Sequence, residues 1–339
     1  MNLSFKQFAT NLAFYIGVLA ASLWIILAVW FSNIPGNLPP KIAAVLLGIG
    51  LLSIAYLSTR RRYTISIIFS LLVLIYLWWI LIPPSNIRNW DPPARILTTA
   101  EFSESSKQVT IRNVRNFEYR SLEEYDTRYY DKAFNLDQVT GVDFIVSYWG
   151  NASIAHTFLS FGFSDGSQLA VSIEIRPEAG ESYHPLAGMF KQYELIYVFG
   201  DERDLIRLRT NYRNEETYLY RSTASPEQAR NLLVDILSRV NQLARKPDFY
   251  GTIRQNCTTS LVRHINKVLE EDIPFSGRLL LNGYSDELAF SRGNIRRDLP
   301  FEELKKACYI SGIARSLDDA PEFSKKLRAH IKREIEDRT

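Results

Sequence analysis

Three stretches near the start of the chain contain almost no polar residues. "TNLAFYIGVLAASLWIILAVWF" ends at Phe31, "IAAVLLGIGLLSIAYLS" covers 42–58 and "YTISIIFSLLVLIYLWWILI" covers 63–82. A helix needs about 20 apolar residues to cross a hydrocarbon core of about 30 Å. The pattern predicts three transmembrane helices, of which the second is short and carries Gly48 and Gly50. A cleaved signal peptide is the alternative for the first run, but its apolar stretch is longer than the usual core of about 7–15 residues.

The connectors predict an orientation. The segment between runs one and two, "SNIPGNLPP", has no basic residue, whereas Arg60, Arg61 and Arg62 separate runs two and three. Basic residues concentrate on the cytoplasmic side. With three crossings, the arginines are inside and everything after Ile82 is outside. Trp78, Trp79 and Trp90 fit an interfacial aromatic belt. "PPSNIRNWDPPAR" reads as a stiff linker.

Beyond it the period changes from all-apolar to alternating. "QVTIRNVRNFEYR" and "GVDFIVSYWG" read as strands, and "HTFLSFGFSDGSQLAVSIEIR" as a hairpin turning at Asp165-Gly166. "YELIYVFGDERDLIRLRTN" reads as strand, polar turn, strand. Ser225-Pro226-Glu227-Gln228 opens a helix through about Ala244, with Leu232, Leu233, Ile236, Leu237, Val240 and Leu243 on one face. Leu261, Ile265, Val268 and Leu269 continue at helical spacing after Cys257. "PFEELKKACYISGIA" and "APEFSKKLRAHIKREIEDR" add two helices. The expected fold class is α+β: a three-span anchor (1–84), a linker (85–100), a domain of antiparallel sheet and helices (101–272), and a helical extension (273–339).

Composition narrows the function. A net charge of +3 over 339 residues, with no basic stripe, argues against nucleic acid as partner. Two cysteines and four histidines, without H-E-x-x-H, leave a metal site little to stand on, and no cofactor is implied.

The candidate chemistry centres on "IRQNCTTSLVRHIN". Cys257 opens a helix, where free N–H groups favour a thiolate and can hold an oxyanion. Asn256 and Thr258 flank it as supporting positions. A cysteine nucleophile usually works with a histidine. His264 lies seven residues on, roughly 10 Å along the helix axis, too far to pair directly, and reads as an exposed or capping residue. His330 sits in a charged helix and His184 on a loop. His156 opens the hairpin, and even positions there gather polar groups: His156, Ser160, Ser172, Glu174 and Arg176. A three-residue loop at 165–167 would pair 158 with 174 and make Glu174 a diagonal neighbour of His156. A merely wet sheet face explains the same alternation. A Cys257–Cys308 disulfide is the other reading of the thiol.

"VTIRNVRNFEYR", "YYDKAFNLDQVTGVDFIVSYWG", "IAHTFLSFGFSDGSQLAVSIEIR", "YELIYVFGDERDLIRLRTNY" and "FYGTIRQNCTTSLVRHIN" together resemble the Lnb N-terminal periplasmic domain family, over roughly 88–270. The resemblance implies a circularly permuted papain-like core, similar to NlpC-type amidases. It implies a bacterial inner-membrane protein with this domain in the periplasm. It also implies acyl transfer from a phospholipid to the α-amino group of a lipoprotein. Carried onto this chain, Cys257 is the expected nucleophile, His156 the base and Glu174 the third group. Beside that resemblance, Ser172 is a supporting position, and Arg176 or basic residues on nearby loops are candidate contacts for lipid phosphate. The alternatives are a cysteine peptidase or amidase of the envelope, and a non-catalytic envelope binding module.

Overall fold

The computed structural model describes residues 5–32, 39–57, 61–105 and 107–339. Its contacts divide into two compact units, 1–85 with 183–193, and 86–182 with 194–339.

The first unit holds α1 (Phe5–Trp30), α2 (Pro40–Leu57) and α3 (Arg61–Leu81). Their outward side chains are apolar and bare: Leu19 is 69% exposed, Phe69 63% and Leu74 62%. Helices apolar on all sides need an apolar surrounding. Two of them, Gln7–Trp30 and Arg61–Leu81, are long and apolar enough to cross a membrane, rather than the expected three. The 18 residues of α2 span roughly 27 Å at about 1.5 Å each, less than α1 or α3.

Packing nevertheless sets a direction. The Arg61 guanidinium donates to the Thr10 carbonyl (2.9 Å) and to Asn11 Oδ1 (3.0 Å), near the start of α1. The Trp24 ring meets the Trp79 and Tyr76 rings at 5.8 Å, near the ends of α1 and α3. So α1 and α3 run parallel, and α2 returns against α1, with Gly48 beside Ile26. Arg60 and positions 33–38 of the first connector lie outside the described residues.

The same unit includes residues 183–193. Lys191 Nζ caps the end of α3 through the Trp79 and Ile80 carbonyls at 2.9 and 3.0 Å. His184 stacks on Phe31, with ring centroids 5.7 Å apart.

The second unit is α+β. Its strands are β1 (Thr99–Phe102), β2 (Gln108–Arg115), β3 (Glu118–Tyr119), β4 (Tyr125–Asp126), β5 (Tyr129–Asn135), β6 (Val139–Tyr148), β7 (Ala155–Phe163), β8 (Gln168–Arg176), β9 (Glu194–Asp201) and β10 (Glu216–Arg221). The main sheet runs β1-β2-β9-β8-β7-β6-β10, with β5 on β2 and a separate β3–β4 pair. It is mixed rather than purely antiparallel, because β2 meets β9 in parallel at Arg115 and Gly200.

Helices cover both faces. They are α4 (Glu202–Arg207), α5 (Pro226–Arg245), α6 (Cys257–Ile265), α7 (Gly277–Leu280), α8 (Ser285–Arg292), α9 (Phe301–Ala307), α10 (Ser311–Leu317) and α11 (Phe323–Glu336). Ser225 and Gln228 form the expected capping box on α5. α6 lies on one face, where Thr157 touches Thr258 and Tyr197 touches His264. α4 and α11 lie on the other, where Arg328 joins buried Glu202 and Asp143.

Three local expectations change. The segment after β9 is not a second strand: Asp201 accepts from the Arg203 N–H and starts α4, which runs into a π-helical turn over Leu208–Tyr212. An N-cap followed by acidic first-turn residues outweighs the short alternation. The hairpin loop is 164–166, because Phe163 and Ser167 pair and Gly162 faces Gln168. Phe158 therefore faces Ser172, not Glu174. The slip is two residues, so parity survives and even positions still share a face. Residues 86–95 are no free linker. Asn86 donates to the Leu243 and Ala244 carbonyls at the end of α5, and Arg88 pairs with Glu178 and Glu194.

Candidate functional site

α6 begins where the sequence places it. Asn256 Oδ1 accepts from the Thr259 N–H (2.8 Å), and Thr259 Oγ1 accepts from the Asn256 N–H (3.0 Å). This reciprocal cap fixes Cys257 as the first helical residue. Its own amide and that of Thr258 have no intrahelical acceptor, as in any first turn. Asn256 also donates to the Thr252 carbonyl at 2.8 Å, so its role is to hold the helix start.

Cys257 is a free thiol, 5% exposed. Its sulfur lies 3.6 Å from Asn282 Nδ2 and 3.8 Å from Thr258 Oγ1. Asn282 Oδ1 accepts the Ala155 N–H at 3.1 Å, so one amide bridges the start of β7 to the sulfur. Gly283 holds that bridge in place. Its N–H donates to the Ser153 carbonyl at 3.1 Å, and a Cβ there would stand 2.1 Å from the Ala152 carbonyl oxygen. Only glycine allows the chain so close. The Tyr148 hydroxyl clamps the next turn, donating to Asp286 (2.7 Å) and lying 3.0 Å from the Gly283 carbonyl. Asn282 was invisible in the sequence, where nothing in an irregular stretch marks it as a neighbour of Cys257.

A second polar cluster forms on β7 and β8. His156 Nε2 lies 2.6 Å from Ser172 Oγ, which donates to Glu174 Oε1 at 2.7 Å. Glu174 Oε1 also accepts from Arg209 at 2.9 Å and stands 3.9 Å from His156 Nε2. Arg209, from the π-helical turn, reaches Glu215 as well (3.7 Å). Ser147 donates to Glu215 at 2.6 Å. Burial, then the Arg209 charge, holds the His156 imidazole well below its usual pKa, so it is neutral. Burial would raise the Glu174 carboxyl, but Arg209 and the other nearby cations outweigh it and keep it ionised.

The expected grouping of His156, Ser172 and Glu174 is thus present, with Arg209 added. The expected direct pairing of Cys257 with His156 is not. No hydrogen bond joins them among the described residues. Thr157 touches α6 through Thr258 at 3.1 Å, so His156, the preceding strand residue, points to the opposite face. The sulfur reaches β7 through Asn282 and the Ala155 amide, and through the Thr258 and Thr157 hydroxyls.

Other expectations are corrected. Cys257 and Cys308 are both free and buried, so the disulfide is absent. Burial pushes the Cys308 thiol up to about 12. Arg176 is no phosphate contact: it is 2% exposed, donates to the Ala94 and Arg95 carbonyls and Asn86, and lies 4.2 Å from the Trp90 ring. His264 is buried rather than exposed, held by Tyr197 (2.8 Å) and Asp235 (2.6 Å). No group of three or more His, Cys, Asp or Glu suited to a metal occurs among the described residues.

Residues 107–283, just over half of the chain, match the family described as Lnb N-terminal periplasmic domain. That span contains both polar clusters and ends at Gly283. No curated protein and no solved structure matches the chain.

Proposed function

Because the chain belongs to the Lnb N-terminal periplasmic domain family, we propose that it is a membrane-anchored thiol acyltransferase with Cys257 as nucleophile. The observation that carries this reading is the free Cys257 thiol at a capped helix start, with the Asn282 amide 3.6 Å from its sulfur. The sulfur attacks an acyl ester of a phospholipid. The C–S bond forms, the C–O bond breaks, and the thiol proton ends on the released alcohol. A lipoprotein α-amine then attacks the thioester, forming an amide and returning a proton to the sulfur. The first-turn N–H groups and Asn282 Nδ2 are the donors for the oxyanion.

His156 is proposed as the base in a rearranged state, where the start of β7 has turned to bring the ring to the α6 side, since a rotamer change alone cannot carry it across the sheet. Its neutrality suits that role. The permuted papain-like core belongs to the same proposal. So does the orientation: the end of the helices carrying Arg61 and Arg62 is cytoplasmic. The parallel course of α1 and α3 then puts the end of α3, which leads into the second unit, on the periplasmic side.

The full chain in nanodiscs containing phospholipid tests this. Lysophospholipid and an acyl adduct on Cys257 are expected by mass spectrometry. Cys257→Ser abolishes both and Cys308→Ser keeps both. A folded protein that yields neither product overturns the reading, and cleavage of peptidoglycan stem peptides instead would assign an amidase.

A further inference from the structure

Behind Cys257 the structure holds a second feature, on the same sheet face. A cavity of about 270 Å³ lies between the sheet, α5, α6 and α8. Phe144 and Leu159 form its floor, Leu261 and Ile265 one wall and Leu288 another. Thr258, the residue after Cys257, lies on its margin. The apolar stripe of α6, which reads as ordinary core packing, faces this space. The cavity lining also carries Thr157, Ser222, Gln228, Ser285 and Arg292, but the surface that faces the space is mostly apolar, which favours apolar ligands.

We propose that this cavity is the acyl-chain site, receiving the tail of the thioester formed on Cys257. The inference rests on the proposed function for its chemistry, and on the cavity for its location. Two observations favour a chain over any other occupant. The cavity adjoins the nucleophile through consecutive residues of one helix. The segment that brings Asn282 to the sulfur continues directly into α8, so the polar head of the site and its apolar wall are one piece of chain. Its size suits a single chain: small-molecule pockets run about 300–1,000 Å³, and this one, at about 270 Å³, lies just below that range. Thr258 lines the cavity, so a tail leaving the adjacent Cys257 lies along Leu261 and Ile265, with the ester carbonyl left beside Asn282.

Acylation of the full chain in one detergent tests this, with p-nitrophenyl acetate and p-nitrophenyl decanoate as probes. Ile265→Trp and Leu288→Trp fill the cavity from α6 and from α8, and two walls guard against one variant misfolding. Each buried methylene favours binding roughly fourfold. Both variants should lose at least tenfold in the decanoyl-to-acetyl ratio while acetyl transfer stays within twofold. An unchanged ratio overturns the cavity assignment and leaves Cys257 as nucleophile. If neither ester acylates the unmodified chain, the proposed function fails. The cavity is then judged by cis-parinarate binding to the Cys257→Ser chain, which Ile265→Trp should weaken at least tenfold, and undiminished binding overturns the site.

Discussion

Arg209→Met is the most informative single change outside the thiol. The guanidinium is 6% exposed and bridges Glu174 and Glu215 at 2.9 and 3.7 Å. Removing one partner of a buried ion pair costs about 3–5 kcal/mol, because a charge is left without its counter-ion. Here the loss is smaller. Glu174 keeps 22% side-chain exposure and the Ser172 hydroxyl, and Arg213 still faces it. About 2–3 kcal/mol is therefore expected, which lowers Tm by roughly 4–12 °C for a unit of this size. The same change acts on His156. Arg209 holds its pKa down and Glu174 pushes it up, so deleting Arg209 raises it. The assay is a thermal melt together with ¹³C-imidazole NMR, in which His156→Gln identifies the one signal among four histidines. Adding Glu174→Gln removes one of the two stranded charges, Glu215 being left to Arg213 at 3.9 Å, and should recover part of the stability while returning the His156 pKa downward. A Tm within 1 °C of the unmodified chain, or a His156 pKa that falls in Arg209→Met, refutes this account of the cluster.

Three further outcomes follow from the same geometry. His156 and His264 both titrate below the ordinary histidine value because they are buried. The unfolded chain therefore binds their protons first, and stability is lost as pH falls below about 6.5, by up to about 1.4 kcal/mol per pH unit for each. Urea midpoints between pH 7.5 and 5 read this, and a midpoint that rises on acidification contradicts it. Asn282→Ala should slow acylation of Cys257 by about 10²–10³ if its amide serves the oxyanion, whereas a rate within twofold would reduce Asn282 to a loop fastener. Arg328→Met strips the counter-ion from Glu202 and leaves Asp143 to Arg221 at 3.2 Å; both carboxylates are 1% exposed and 2.6 Å from the Arg328 guanidinium. It should cost about 3–5 kcal/mol and lower Tm by roughly 6–20 °C, and an unchanged melt would mean that α11 does not clamp the sheet.

Local chemistry carried much of this protein in its sequence. The apolar runs, the hairpin at Asp165-Gly166, the capping box at Ser225 and the helix opening at Cys257 are each written in a few adjacent residues. The shared face of His156, Ser172 and Glu174 followed from parity together with a three-residue loop, and it survived that loop's misplacement by one position because the resulting register slip was two residues. What lay beyond sequence was every decision that depends on which elements meet. Alternation says that His156 and Thr157 face opposite ways, but not which face α6 will cover, and that choice separates His156 from Cys257. Asn282 becomes a neighbour of the sulfur only because Gly283 lets its loop close on Ser153. Arg176 looks like a surface cation until residues 86–95 fold over it. The apolar stripe of α6 looks like core until α8 is seen to leave a cavity beside it. Periodicity reports the environment one element needs. It does not say which partner supplies that environment, and the candidate site is made of those pairings.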